Sequence, residues 1–207
     1  MWNSNSDGAG LAIMTKDKTF VMKGYMGLDE FWDEIDSLQT KHLVLHFRLA
    51  THGAKTKEFT HPFIVTPDIE VSQSLSLETT KPVLFHNGIL SEYGSETMSD
   101  SLDFVLSTLS QLKTEDDMVK LLRTVGCKYV LIGEKLYWKI GAFEEYKGLQ
   151  VSNTYFNRQV ITYGNSVYSG EIGSCCKSRE NRNSIFPIKG SRNEKRKNRL
   201  VVSERST

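Results

Sequence analysis

The residues best suited to chemistry fall in two short runs. His46-Phe47-Arg48-Leu49-Ala50-Thr51-His52-Gly53 follows the apolar Leu43-Val44-Leu45, and His86-Asn87-Gly88 follows Pro82-Val83-Leu84-Phe85. An arginine just past a buried strand can grip a small carboxylate with two parallel charge-assisted hydrogen bonds. A carboxamide beside the unhindered N–H of a glycine is the donor pair an oxyanion needs, worth about 3–4 kcal/mol per donor. Arg48 is therefore a candidate carboxylate binder, and Asn87 with Gly88 a candidate oxyanion hole. Asn-Gly is also a strong turn signal in its own right.

Read in order, Asn5-Ser6-Asp7-Gly8-Ala9-Gly10, Arg48-Leu49-Ala50-Thr51-His52-Gly53, His61-Pro62, His86-Asn87-Gly88 and Ser99-Asp100-Ser101 closely resemble the glutaminase domain of class II glutamine amidotransferases, which are N-terminal-nucleophile hydrolases. The likeness runs over residues 5–155. Each motif is weak alone; their order and spacing carry the resemblance. It implies an α+β fold, a four-layer αββα sandwich. It also implies a reaction: a cysteine attacks the side-chain amide of glutamine, ammonia leaves, and water hydrolyses the thioester. No cofactor or metal is implied.

The resemblance assigns further roles. Arg48 would bind the α-carboxylate of glutamine and Asp100 its α-ammonium, with Asp103 on the same turn as the weaker choice. Thr51 would donate a hydrogen bond to the amino acid. His52 and His61 would lie near the substrate loop, although a lone histidine is more often a structural hydrogen-bonder than a base. Asp100 can equally cap a helix, and Thr51 can simply end a strand.

The family's nucleophile is an N-terminal cysteine on a strand ahead of the Asp-Gly-x-Gly turn. This sequence begins Met1-Trp2-Asn3, and its cysteines are Cys127, Cys175 and Cys176. The expectation is a truncated first strand, a missing nucleophile and no glutaminase activity in the chain as it stands. An upstream start carrying Met-Cys would restore it. The alternatives are a non-catalytic module binding glutamine or a protein partner, and a nucleic-acid-associated protein.

The elements that would position these residues follow from periodicity. Leu11-Ala12-Ile13-Met14 and Phe20-Val21-Met22 flank a polar turn and predict a hairpin. Leu28, Phe31, Trp32, Ile35 and Leu38 fall on one helical face, with Asp29 and Glu30 in the first turn, so Phe31 and Trp32 are expected in the core. The runs at 43–47 and 83–85 are apolar without alternation, as strands buried on both faces are. Phe63-Ile64-Val65 reads as extended, and 72–80 has no clear assignment. A helix is expected from Ser99 or Ser101, with Leu102, Val105, Leu106 and Leu109 inward. Another follows Thr114, with Met118, Leu121, Leu122 and Val125 inward and Gly126 as its stop. Residues 129–132 and 136–140 read as a hairpin, and Leu149-Gln150-Val151 as a further strand.

Composition bounds the rest. The 207 residues, 39% hydrophobic and 25% charged, support one domain with a core. No apolar run approaches the ~20 residues of a membrane helix. The polar N-terminus lacks a signal-peptide pattern, and three cysteines with one adjacent pair make neither a disulfide framework nor a zinc spacing; a reducing cytoplasm is the expected setting. The net charge of +1 hides an asymmetry: residues 177–207 carry ten basic and three acidic residues, leaving sixteen basic and twenty-two acidic before them. The organisation expected is an amidotransferase-like domain over 1–170 and a basic, disordered tail over 171–207. Residues 179–199 form a candidate nucleic-acid patch.

Overall fold

The structure, a computed structural model, describes residues 1–40, 42–51, 53–134, 136–157 and 199–204, the last for the backbone only. The strands are β1 (Ala9–Met14), β2 (Thr19–Tyr25), β3 (His42–Phe47), β4 (Phe63–Ile64), β5 (Ser76–Thr79), β6 (Val83–Asn87), β7 (Lys128–Ile132), β8 (Tyr137–Ile140), β9 (Glu144–Tyr146), β10 (Leu149–Val151) and β11 (Arg199–Glu204). The α-helices are α1 (Leu28–Ser37), α2 (Ile69–Gln73), α3 (Asp100–Ser107) and α4 (Glu115–Val125).

The strands form two sheets, ordered β5-β2-β1-β3-β11-β10-β9 and β4-β6-β7-β8. Their pairings are antiparallel, so the fold is α+β. Strand periodicity sends alternate side chains to opposite faces, and each sheet is apolar on both. Ala12, Val21 and Val44 of the larger sheet meet Ile64, Val83, Phe85, Val130 and Ile132 of the smaller. Leu11, Leu43, Leu45 and Phe47, on the other face of the larger sheet, pack on Phe31 of α1. Leu84, Tyr129 and Leu131, on the other face of the smaller, pack on α3 and α4 through Leu102, Phe104, Val105, Met118 and Leu122.

Helix ends follow their caps. Ser99 Oγ accepts from Leu102 N at 3.2 Å, Thr114 Oγ1 from Asp117 N at 3.2 Å, and Asp68 Oδ1 from Glu70 N at 3.0 Å. Each satisfies an orphan donor of a first turn. Gly126 ends α4 at φ 84°, where a side chain would be strained.

The structure corrects two expectations and adds two elements that the sequence left open. Trp32 is 45% exposed rather than buried; α1 covers the sheet with Phe31 alone fully inside. The unassigned stretch 72–80 holds the end of α2 and all of β5, the latter pairing with β2. A strand the sequence did not reveal, β9, is joined to β10 by Lys147 and Gly148 at φ 52° and 77°, the left-handed pair that suits a tight hairpin. Residues 199–204 of the expected disordered tail form β11, between β3 and β10. The rest of that tail lies outside the described residues, as does most of the candidate nucleic-acid patch.

Cys127 is buried and disulfide-bonded, which also corrects the expectation that the three cysteines form no disulfide framework. No helix among the described residues is long and apolar enough to cross a membrane.

Candidate functional site

Between the two sheets the chemistry changes along the strands. The middle of the layer is aliphatic and aromatic. At the end where β1 starts and β3 and β6 finish, the inward positions turn polar. Lys23 follows Val21 on β2, and His46 and Arg48 follow Val44. All three are buried, as is Asn87 at the end of β6.

Two backbone bonds clamp Arg48: its N–H donates to Gly8 O at 2.8 Å and its carbonyl accepts from Asp7 N at 3.1 Å. The Asp7 carboxylate accepts from Ala50 N at 3.0 Å and pairs with Lys55 at 2.7 Å, which fixes the loop beyond the strand. The Arg48 side chain is 2% exposed. It donates from Nη1 to Ala54 O at 3.0 Å and faces the Phe59 ring at 5.9 Å. Burial lowers its pKa, and the nearby charges of Asp7 and Asp100 oppose that shift.

Asp100 and the Arg48 loop are held next to each other. Gly53 N donates to Ser95 O at 3.2 Å, and a Cβ on Gly53 would fall 2.8 Å from Ser99 N. Asp100 starts α3 and is buried. Its carboxylate already accepts from Leu90 N and Ser101 N, each at 2.8 Å. The cap of the helix is Ser99 rather than Asp100, and Arg48 is the electrostatic neighbour of Asp100. Asp103 is bound to Gly94 N at 2.8 Å, tying down the loop before α3. Thr51 is half-buried on the Arg48 loop; His52 lies outside the described residues.

Asn87 and Gly88 turn off β6 beside the same end. The Asn87 Nδ2 is buried and finds no hydrogen-bond partner among the described residues, a state that native interiors rarely tolerate without a functional reason. Gly88 has φ 156°, and a Cβ there would fall 2.5 Å from Cys127 Sγ. The disulfide-bonded Cys127 is not a free thiolate.

The sequence singled out His61 but not the histidine cluster it joins. His46 and His61 pack with ring centroids 4.2 Å apart and their planes tilted by 42°, and His61 and His86 lie 6.4 Å apart. His86 stacks on Tyr129 at 4.9 Å, and its Nδ1 lies 2.8 Å from Ser101 Oγ. Among the described residues, both ring nitrogens of His61 and Nε2 of His86 find no hydrogen-bond partner. Burial lowers the His46 pKa to about 3 and the His86 pKa to about 4, and it holds His61 well below its ordinary value. The three rings are neutral at pH 7.

Lys23 extends this basic layer. It is 5% exposed, donates to Ser72 O at 3.1 Å and Glu58 O at 3.2 Å, and sits 4.4 Å over the Phe63 ring. Burial lowers its pKa to about 7. Gly10 lets the layers approach: a Cβ there would lie 2.1 Å from His61 O and 2.6 Å from Lys23 Cβ. Among the described residues no group of His, Cys, Asp and Glu is arranged to hold a metal ion.

A separate cleft of about 330 Å³ opens at the opposite end of the strands, between Met14, Thr19, His42, Ile132 and Tyr137. None of the sequence-derived candidates lines it.

No family model, no curated protein and no solved structure matches this chain.

Proposed function

We propose that the chain is a glutamine amidotransferase type 2-like protein and that the Arg48 end of its two sheets is an amino-acid site. The observation that carries this reading is the buried Arg48 guanidinium, with Asp100 as an electrostatic neighbour, at the strand ends where Asn87 keeps an amide donor unpartnered among the described residues. A guanidinium and a carboxylate held together suit the two α-substituents of an amino acid. A buried donor without a partner suits a side-chain carbonyl or the oxyanion derived from it. The order of helix, sheet, sheet, helix is that of the N-terminal-nucleophile sandwich and supports the same reading.

The family reaction needs a thiolate. No cysteine precedes Cys127 in this sequence, and Cys127 is disulfide-bonded. The 207-residue chain therefore binds glutamine without releasing ammonia. That agrees with a non-catalytic glutamine-binding module as the working state of these residues.

Titration calorimetry of the whole chain tests this. L-glutamine gives saturable heat, and butyramide, which keeps the amide but lacks both α-substituents, binds at least about tenfold more weakly, a difference of about 1.4 kcal/mol. A folded chain giving no heat with L-glutamine, or binding both compounds alike, overturns the reading. Ammonia release that Asn87→Ala abolishes would overturn the assignment as non-catalytic.

A further inference from the structure

The cleft at the opposite end of the strands from Arg48 has two unlike walls. One lip is the turn joining β1 to β2, with the first residue of β3; the other is the turn joining β7 to β8. Its volume is about 330 Å³, and pockets that hold one small molecule begin at roughly 300 Å³. The floor is apolar: Met14, Ile132 and Tyr137 line it and continue the layer between the sheets. Leu136 stands beside them on the β7–β8 lip. It is 64% exposed, more than any other large apolar side chain among the described residues, and it loses that contact with water only when something covers it.

The β1–β2 lip is polar and basic, with Thr15, Lys16, Lys18 and Thr19, and His42 from the start of β3. Lys18 is paired with Glu78. Lys16 makes no ion pair among the described residues, so its ammonium stays free for a ligand. Glu134 is the single acidic residue of the lining, and it lies on the opposite lip. An anion in the cleft is therefore drawn to the Lys16 side and repelled from the other.

Both lips are fixed before any ligand arrives. Thr15 N donates to Lys18 O at 2.9 Å, and Lys18 N donates to Thr15 Oγ1 at 3.2 Å. Across the cleft, Gly133 N donates to Leu136 O at 2.8 Å. Glu134 N donates to Glu115 Oε1 at 2.9 Å, which ties that turn to the start of α4. A Cβ on Gly133 would fall 2.3 Å from Glu115 Oε2, so the turn and the carboxylate are closely packed. Walls held in place by their own bonds lose little entropy when the space between them is filled.

We propose that this cleft is a second binding site, for a small organic acid with an apolar body: the body lies on Met14, Ile132, Leu136 and Tyr137, and the anionic group points toward Lys16. The site shares no residue with the Arg48 end, so its occupancy is independent of what binds there.

The probe is 1-anilinonaphthalene-8-sulfonate, titrated into the whole folded chain and read by fluorescence. A single equivalent binds saturably. N-phenyl-1-naphthylamine, the same ring system without the sulfonate, binds at least about threefold more weakly. Lys16→Gln weakens the sulfonate at least about threefold and leaves the neutral compound unchanged. Leu136→Ser weakens both by at least about fivefold. Both side chains are exposed, and circular dichroism verifies that each variant is folded. L-glutamine in excess displaces neither compound. The proposal is overturned by no saturable binding, by binding that neither substitution alters, by equal affinity for the two compounds, or by displacement with L-glutamine. Glutamine calorimetry reads the Arg48 end alone, so either proposal can fail without the other.

Discussion

Ser101 Oγ lies 2.8 Å from His86 Nδ1, joining the first turn of α3 to the last residues of β6. The same hydroxyl lies 3.3 Å from Asp100 Oδ1. One small side chain thus registers the helix carrying Asp100 against the strand carrying Asn87, and both residues are buried.

Removing that hydroxyl has a defined cost. Ser101→Ala leaves His86 with no hydrogen-bonded ring nitrogen in a site that water does not reach, so it destabilises the fold by about 1–3 kcal/mol. Ser107→Ala, on the exposed side of the same helix, changes stability by no more than about 0.5 kcal/mol. Urea denaturation midpoints at pH 7.5 distinguish the two. Equal midpoints would remove the role given to Ser101.

The histidine cluster makes the fold acid-sensitive. His46, His61 and His86 all have folded pKa values below the ordinary 6.5. Below 6.5 the unfolded chain therefore binds protons that the folded chain refuses. Their contribution is fully present above about pH 6.5 and is lost as pH falls toward 4. Three such groups give a slope approaching about 4 kcal/mol per pH unit at its steepest. His46→Phe should flatten that slope by about one third, read from urea midpoints between pH 4.5 and 7. An unchanged slope would mean that His46 is not held neutral by the fold.

Lys23 shapes the alkaline side. Its folded pKa of about 7 lies below the ordinary 10.5. Between those values the unfolded chain binds a proton that the folded chain lacks, so stability rises as pH increases from about 7 to 10.5. Lys23→Met removes this rise. A wild-type stability flat over that range would show that the ammonium is accommodated by Ser72 O, Glu58 O and the Phe63 face.

Much of this arrangement was legible in the residues, and its omissions have physical causes. The β1–β2 hairpin, α1, α3, α4 and the unalternated β3 and β6 show in the spacing of apolar residues, because each buries a continuous face. β5, Ser76-Leu77-Glu78-Thr79, is partly exposed along its length, so polar residues occupy it and no stripe forms. At five residues, α2 is too short for a helical period. Trp32 fits the α1 stripe by spacing, but Phe31 takes the sheet contact and Trp32 stays 45% exposed. Within the site, Arg48, Asn87 and Asp100 stood out as chemistry beside strand ends. Lys23 did not, although its alternation with Val21 already aimed it inward. A lysine on a strand is ordinarily solvated, and only the three-dimensional cover from Glu58, Phe63 and Ser72 reverses that. His46 and His86 were read as parts of motifs; that they cluster around His61 depends on two sheets meeting, which neither run encodes alone.

Position 10 has a consequence for how this chain can change over generations. With the His61 carbonyl 2.1 Å from where a Cβ would stand, β1 and the turn before β4 form a single evolutionary unit despite the fifty residues between them in the chain. Any replacement of the glycine obliges the His61 segment to lift away. Drift at this spot requires paired, simultaneous changes on both segments, and single-step variants there should be purged first.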